Sequence, residues 1–527
     1  MIFGIICNIC NTFLCNKERI YAMKLRKIAI LLALLMLVSS LPSCSGTETT
    51  ETEAAADSEN AVVETETEAE TEDLAAIRAK TPDTLPADLD FDGRTFRIFT
   101  PEHLNSGRYY AGNEELSGEV VNDAVLARNL SVEERLNIDL IHEMSVDATT
   151  TNYKTMVSKL IMSGDSTYDI YQGYQHILVT MMTSSGFINH YDLDYIDFDQ
   201  PWWWNNYMDA LTMNKDVRIF SIGDYSIHAL SFVRALYYNK DLYQKYYQNG
   251  DGLYEIVLSG DWTLDTMTEI AENAYVDTNG DGTVDPGDQL GFINYYISSS
   301  VDSFVYATDI EFSKTLDDGR IELNMIQEDA VTLLEKLNKL FWLPGSYHDF
   351  EGNDPLTGHF SEGNTMFLGS AFYLTAESLR DMTSSYGIIP NPKLDAEQEN
   401  YRSLVHDAAM LTAISGSSLN LDMAGAVLEA LCSETYRTVV PAYYETALKI
   451  KYSRDELSAQ MIDLIHDSMY TSFVYTFNYS VGSIGTIYRE LVAGQKQDYV
   501  SAVTSRINSS QKSLDKLYEE FTKNITD

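Results

Sequence analysis

TFRIFT, at Thr95–Thr100, opens the stretch of chain whose pattern decides the fold. It follows Gly93 and reads as a short strand. Val120 to Leu136 then puts Val121, Ala124, Val125, Leu130, Val132 and Leu136 on one helical face. Ile138–Ile141 reads as a second strand, Met156–Met162 as a helix, and Tyr168–Tyr171 (YDIY) as a third strand. Strand, helix, strand, helix, strand at this spacing means a parallel sheet with covering helices. Such sheets bind ligands at the carboxyl ends of their strands, which singles out Pro101, Tyr171, Gln172 and Tyr174.

Beyond this unit, Val217–Ile222 and Ala235–Tyr238 read as strands, and Thr263 or Asp265 can cap a helix running through Ala274 with Trp262 leading in. Thr365–Leu368, after the turn at Gly363-Asn364, and Ala409–Ile414 read as strands, and Met423–Cys432 as a helix. Tyr499, Val503, Ile507, Leu514, Tyr518 and Phe521 recur at helical spacing, so the chain closes on a long amphipathic helix. From Leu85 onward the chain is too long for one core and suits two lobes. With 36 Lys and Arg against 79 Asp and Glu, the net charge of −43 repels phosphates and argues against nucleic-acid binding. Cys432 lies in an apolar helical stretch and reads as a core thiol.

The amino-terminal region has a different logic. Lys24, Arg26 and Lys27 precede an apolar run from Ile28 to Val38, followed by Leu41-Pro42-Ser43-Cys44. A basic, apolar, small-residue series of this length is a secretory signal, too short to span a bilayer comfortably. Its end resembles a bacterial lipobox, with Pro42 an unusual occupant, and this implies a lipoprotein signal over 23–44 in which Cys44 is lipidated and becomes the first residue of the mature chain. An uncleaved anchor helix is the alternative. Residues 1–22 fit no part of this plan, and Cys7, Cys10 and Cys15 lack the partners of a zinc site, so the reading places the start of translation at Met23. Residues 45–84 are rich in Thr, Glu and Ala and read as a disordered acidic tether.

Asp277–Asp288 reads DTNGDGTVDPGD. Oxygen-bearing residues fall at loop positions one, three, five, seven, nine and twelve: Asp277, Asn279, Asp281, Thr283, Asp285 and Asp288. Gly282 takes position six, where a calcium loop must turn sharply. The pattern predicts a structural calcium ion, weakened by Asp in place of Glu at position twelve. An ordinary polar Asp-Gly turn is the alternative.

Several segments, in order, resemble the extracellular solute-binding proteins of ABC importers, in particular the sugar-binding group. Thr167-Tyr168-Asp169-Ile170 is similar to its first-lobe strand. Tyr237-Tyr238-Asn239-Lys240-Asp241-Leu242 is similar to the YNKDL after the first interlobe crossing, and Trp262-Thr263 to its TW helix start. Phe360–Met366 and Tyr386-Gly387-Ile388-Ile389-Pro390 resemble two later segments. The resemblance implies a two-lobed, periplasmic-binding-protein-like α/β fold with hinge crossovers. Lobe one would hold 85–230 and 411–447, and lobe two 235–405 and 448–527. It further implies a small solute, a carbohydrate by family precedent, enclosed between lobes that close on it, and an ABC permease as partner at the outer face of the membrane.

On that frame the ligand candidates are Tyr171, Gln172 and Tyr174 at a strand end, Phe232 and Arg234 on the first crossing, Phe372 and Tyr373 after the 365–368 strand, and His406 and Asp407 before the second crossing. The 35 Tyr, 20 Phe and 5 Trp suit sugar C–H faces, with amides and carboxylates for the hydroxyls. Trp202-Trp203-Trp204 cannot all face one ligand and reads as packing. A secreted glycoside hydrolase and a surface adhesion lipoprotein are the competing classes. The abundant acidic residues make apparent carboxylate pairs uninformative.

Overall fold

A computed structural model describes residues 74–102, 106–112, 115–145, 150–182, 186–214, 216–294, 297–348, 356–372, 379, 382–443 and 456–526. The 1–22 segment, the 23–44 leader, Cys44, residues 45–73 of the tether and Tyr373 lie outside the described residues.

The chain runs β1 (Arg94–Pro101), α1 (Val120–Leu136), β2 (Ile138–Ser145), α2 (Thr150–Ser163), β3 (Ile170–Tyr174) and β4 (Phe220–Ser221). It then crosses into β5 (Arg234–Asn239), α3 (Leu264–Ala274), β6 (Leu290–Asn294), α4 (Ile297–Val305), α5 (Glu328–Phe341), β7 (Ser346–Tyr347), β8 (Thr365–Ala371) and β9 (Tyr386–Ile389). It returns through β10 (Ser403–Leu404) to β11 (Met410–Ile414) and α6 (Leu421–Glu434). The last part comprises α7 (Glu456–Asp467), β12 (Met469–Tyr470), α8 (Phe473–Thr476), α9 (Ile487–Ala493) and α10 (Tyr499–Thr526).

Two five-stranded sheets result, ordered β2-β1-β3-β11-β4 and β9-β5-β8-β6-β7. In the first, β1 pairs in parallel with β2 and β3, while β11 enters antiparallel to β3 and β4. The first sheet therefore draws on chain from both sides of the crossings, through β11, whereas the second is built wholly from residues 234–389. Local chemistry explains the joints. Glu119 accepts from the Asn122 amide at 2.9 Å to start α1, and Asn137 ends it in the left-handed region at φ 48°. That turn feeds β2 directly beside β1. Thr263 caps α3, and α3 packs so closely on β6 that a Cβ at Gly291 would sit 2.0 Å from the Ala271 carbonyl.

The motif residues are fold staples. Asp169 accepts from the Arg97 amide at 2.7 Å and from Ser418 and Asn420, tying β1 to the entry of α6. Asn239 caps the following helix through the Leu242 amide at 2.9 Å and donates to the Gly363 carbonyl at 2.9 Å. The indole of Trp262 donates to the Pro390 carbonyl at 3.0 Å.

Three expectations change. The 217–222 strand is only Phe220–Ser221, and β3 continues past Tyr171 to Tyr174. Part of the expected tether is ordered: Leu74–Lys80 is helical, with Arg78 buried against the Tyr436 ring and 3.6 Å from Asp463. The run LAAIRAK has the apolar and cationic residues that the Thr/Glu stretch lacks. Cys432 is a buried free thiol. Among the described residues no helix is long and apolar enough to cross a membrane.

Candidate functional site

The two lobes are joined by strands that pair with each other. Val233, on the outward crossing, bridges Val405 on the return, and the His406 amide donates to the Phe232 carbonyl at 3.1 Å. β10 pairs in parallel with β12, so a third segment of chain is laced into the same hinge. The Val405 amide completes it by donating to the Tyr470 carbonyl at 3.0 Å.

Strand polarity brings specific residues to this junction. β3 ends at Tyr174 while β11 starts at Met410, and the Gln175 and His176 amides donate to the Ala409 and Asp407 carbonyls. His176 also sits with Nδ1 2.9 Å from the Asp407 carbonyl and stacks on Tyr174 at 5.6 Å. From the second lobe, β5 begins at Arg234 opposite Ala371, the last residue of β8. The Phe372 amide donates to the Val233 carbonyl at 3.1 Å.

The candidates therefore divide. Tyr174, Phe232, Arg234, Phe372, His406 and Asp407 converge on the hinge. Phe232 lies against His228 at 5.0 Å and His406 at 6.5 Å. Tyr171 and Gln172 do not reach it. Because β3 runs on to Tyr174, Tyr171 is fully buried among Phe99, Tyr168 and Phe187, and Gln172 donates to Thr412 across the sheet at 3.0 Å.

Residues with no sequence signal complete the junction. Arg489 on α9 pairs with Asp302 on α4, and Tyr475 on α8 and Tyr479 approach them. Tyr479 is 59% exposed, and its ring lies 6.4 Å from that of His176 in the first lobe. Burial raises the Asp302 carboxyl to about 6 against the pull of Arg489, with Asp407 adding to the rise and Arg234 opposing it. Burial and then the Arg234 charge hold His406 at about 3, so it is neutral near pH 7. His176 lies two residues past a called strand-end residue and was within reach of strand-end reasoning. Asp302, Tyr475, Tyr479 and Arg489 were not, because each comes from a distant segment.

The tryptophan run is packing. All three indoles are buried: Trp202 and Trp203 each donate to Glu429 at 3.0 Å, and Trp204 donates to Asp224 at 2.8 Å. A separate groove of about 980 Å³ runs between Asn206, Asp209 and Ala210 of the first lobe and Glu311, Tyr401 and Arg402 of the second. None of the sequence-predicted ligand residues lines it.

The 277–288 loop is closed by paired hydrogen bonds between Val276 and Gln289 at 3.0 and 3.1 Å. The Asp277 carboxylate accepts from the Gly280 and Gly282 amides at 2.7 and 3.0 Å, and Asp281 accepts from Thr283 at 2.7 Å. Asp285 accepts from Gly287 at 2.7 Å, and buried Asp288 from Thr278 at 3.0 Å and the Tyr275 hydroxyl at 3.3 Å. Gly282 has φ +77°, the left-handed turn its position requires. The oxygens of Asp277, Asp281 and Asp285 and Oδ1 of Asp288 each retain a lone pair for a cation, whereas Asp288 Oδ2 also accepts from the Asp285 amide at 3.4 Å. Among the described residues, however, no three His, Cys, Asp or Glu side chains stand close enough together to hold a metal ion. The donor types fit calcium; the side chains are not gathered into a cage.

No family model matches the chain, and no curated protein matches it. Solved structures do. The galacto-N-biose-/lacto-N-biose I-binding protein of the ABC transporter from Bifidobacterium longum, in complex with lacto-N-biose, aligns at TM-score 0.50 and 11% identity, covering 81% of this chain and 98% of that one. A cyclo/maltodextrin-binding protein complexed with maltotetraose aligns at TM-score 0.50 and 13% identity, over 81% and 98%. UspC from M. tuberculosis aligns at TM-score 0.52 and 11% identity, over 80% and 100%. The fold of these solved structures is the fold of this chain.

Proposed function

We propose that this chain is an extracellular solute-binding protein that captures a carbohydrate between its lobes and delivers it to the permease of an ABC importer. The observation that carries this reading is the laced hinge, where Val233, Val405 and Tyr470 join the lobes directly beside a group of Tyr, His, Arg and Asp side chains from both. A hinge of a few extended residues lets two lobes rotate while each core stays packed. Ligand contacts to both sides then favour the closed state. Two of the structures sharing the fold hold lacto-N-biose and maltotetraose, which supports an oligosaccharide as the solute.

On this reading the protein binds without catalysis, and a lipid on Cys44 with the acidic segment behind it holds the lobes near their permease. The loop at 277–288 takes a weak structural calcium ion through Asp277, Asn279, Asp281, the Thr283 carbonyl, Asp285 and Asp288.

A thermal-shift screen of the purified protein against mono- and oligosaccharides, peptides and polyamines tests the assignment. A carbohydrate should raise the melting temperature by mass action and compact the protein in X-ray scattering. A rise with peptides alone, or release of reducing ends from an oligosaccharide, would overturn it. Calcium at millimolar concentration should raise the melting temperature and EGTA reverse it; no response to either ion or chelator removes the metal from the loop.

A further inference from the structure

Arg489 engages Asp302 unusually. Both its Nε, at 2.8 Å, and its Nη2 donate to the same oxygen, Oδ2. A guanidinium facing a carboxylate ordinarily uses both oxygens in a parallel fork. Here the second oxygen, Oδ1, has no hydrogen-bond partner among the described residues although Asp302 is 1% exposed. The Tyr475 hydroxyl is in the same condition in a residue 2% exposed. Buried polar atoms are nearly always paired, since an unpaired one forfeits its hydration for nothing. The two lie in neighbouring elements: the Tyr306 amide donates to the Asp302 carbonyl at 2.9 Å, one turn along from it at the end of α4, and the Tyr306 ring lies 5.1 Å from that of Tyr475 on α8.

We propose that Asp302 Oδ1 and the Tyr475 hydroxyl are the second lobe's receptors for ligand hydroxyl groups, with Arg489 positioning the carboxylate. The inference rests on the solute-binding reading above and deepens it. Asp302 is an acceptor and Tyr475 both donor and acceptor, so together they match neighbouring alcohol groups on a sugar ring. Arg489 already balances the Asp302 charge, so the vacant oxygen asks for a neutral donor rather than a second cation. A polyamine or amino ligand would face Arg489 and Arg234 at close range.

The test uses the full chain with lacto-N-biose, maltotetraose and spermidine as probes in calorimetry. Asp302→Asn keeps the side-chain shape but can turn a donor toward the ligand. It should weaken whichever sugar the wild type binds by about tenfold to a hundredfold, the scale of a lost hydrogen bond to a charged group. Tyr475→Phe should weaken it by about tenfold. Wild-type affinity should fall as pH drops through about 6, where Asp302 takes up a proton, and the Asp302→Asn variant should lose that dependence. A purely structural role would leave the pH profile of the Asn variant unchanged from wild type. Sugar binding in both variants at wild-type strength overturns the assignment while leaving the solute-binding reading intact. Spermidine preferred over both sugars overturns the hydroxyl assignment. Binding of none of the probes by the wild type removes the solute reading and this inference with it.

Discussion

Two aromatic-rich regions of this protein look alike in composition and are opposite in chemistry. Around Trp202–Trp204 each indole N–H has a carboxylate acceptor, and Glu429 alone serves two of them. Around Tyr475 and Tyr479 the Tyr475 hydroxyl and a buried Asp302 oxygen are left without hydrogen-bond partners among the described residues, and the Tyr479 ring is largely exposed. The three indole donors are all spent, although Asp224 Oδ2 beside them is buried with no hydrogen-bond partner among the described residues; what sets the second region apart is an open hydroxyl and carboxylate oxygen close to an exposed ring. Aromatic density therefore does not find a site; open polar atoms beside an exposed ring at the junction of the two lobes are the better guide.

The largest effect expected from this contrast is in the tryptophan cage. Glu429→Ala leaves two buried indole donors unpaired and opens a void, and should cost about 3 kcal/mol of unfolding free energy in urea melts. A loss under about 1 kcal/mol would mean that the cage is not self-satisfied and the contrast fails.

A smaller effect is expected from pH. Burial alone would lower the titration of His466, but the nearby Asp224 carboxylate and the hydrogen bond to Asp467 outweigh it and hold the imidazole at about 9. Its Nδ1 lies 3.1 Å from Asp467, and its Nε2 lies 3.7 Å from the Asp224 that also receives Trp204. The folded-state value lies above the unfolded one, so the stabilisation is complete below about 6.5 and is lost as pH rises through 9. Chemical denaturation should show a decline of about 2 kcal/mol over that window. The His466→Gln variant should lack this limb, and its persistence would exclude His466 as the source.

The smallest effect belongs to the open region. Tyr479 is exposed, so Tyr479→Ala should change stability by less than about 0.5 kcal/mol while reducing the thermal shift given by a bound sugar. A large loss of stability with unchanged sugar response would place Tyr479 with the packing residues.

The fold was legible because its joints are local. Val120–Leu136 carries its own helical period and its Asn137 stop. Asp169, Asn239 and Trp262 staple β1, the helix after β5 and the turn after β9, roles that need one residue type at one place. Strand ends were harder to read. Nothing in YQGY marks where the strand stops, and only the pairing with β11 carries it past Tyr171 to Tyr174.

The sequence by itself determined the helices, their caps and the parallel opening unit of the first sheet, since periodicity and capping act within a dozen residues, while the hinge segments and the ligand candidates on them followed from the family resemblance. Which of those candidates meet, and what they meet, was decided by tertiary structure. Asp302 and Arg489 stand 187 residues apart, and His176 and Tyr479 come from different lobes. Their juxtaposition is set by how α4 and α9 pack and how the hinge is laced, and no local spacing encodes it.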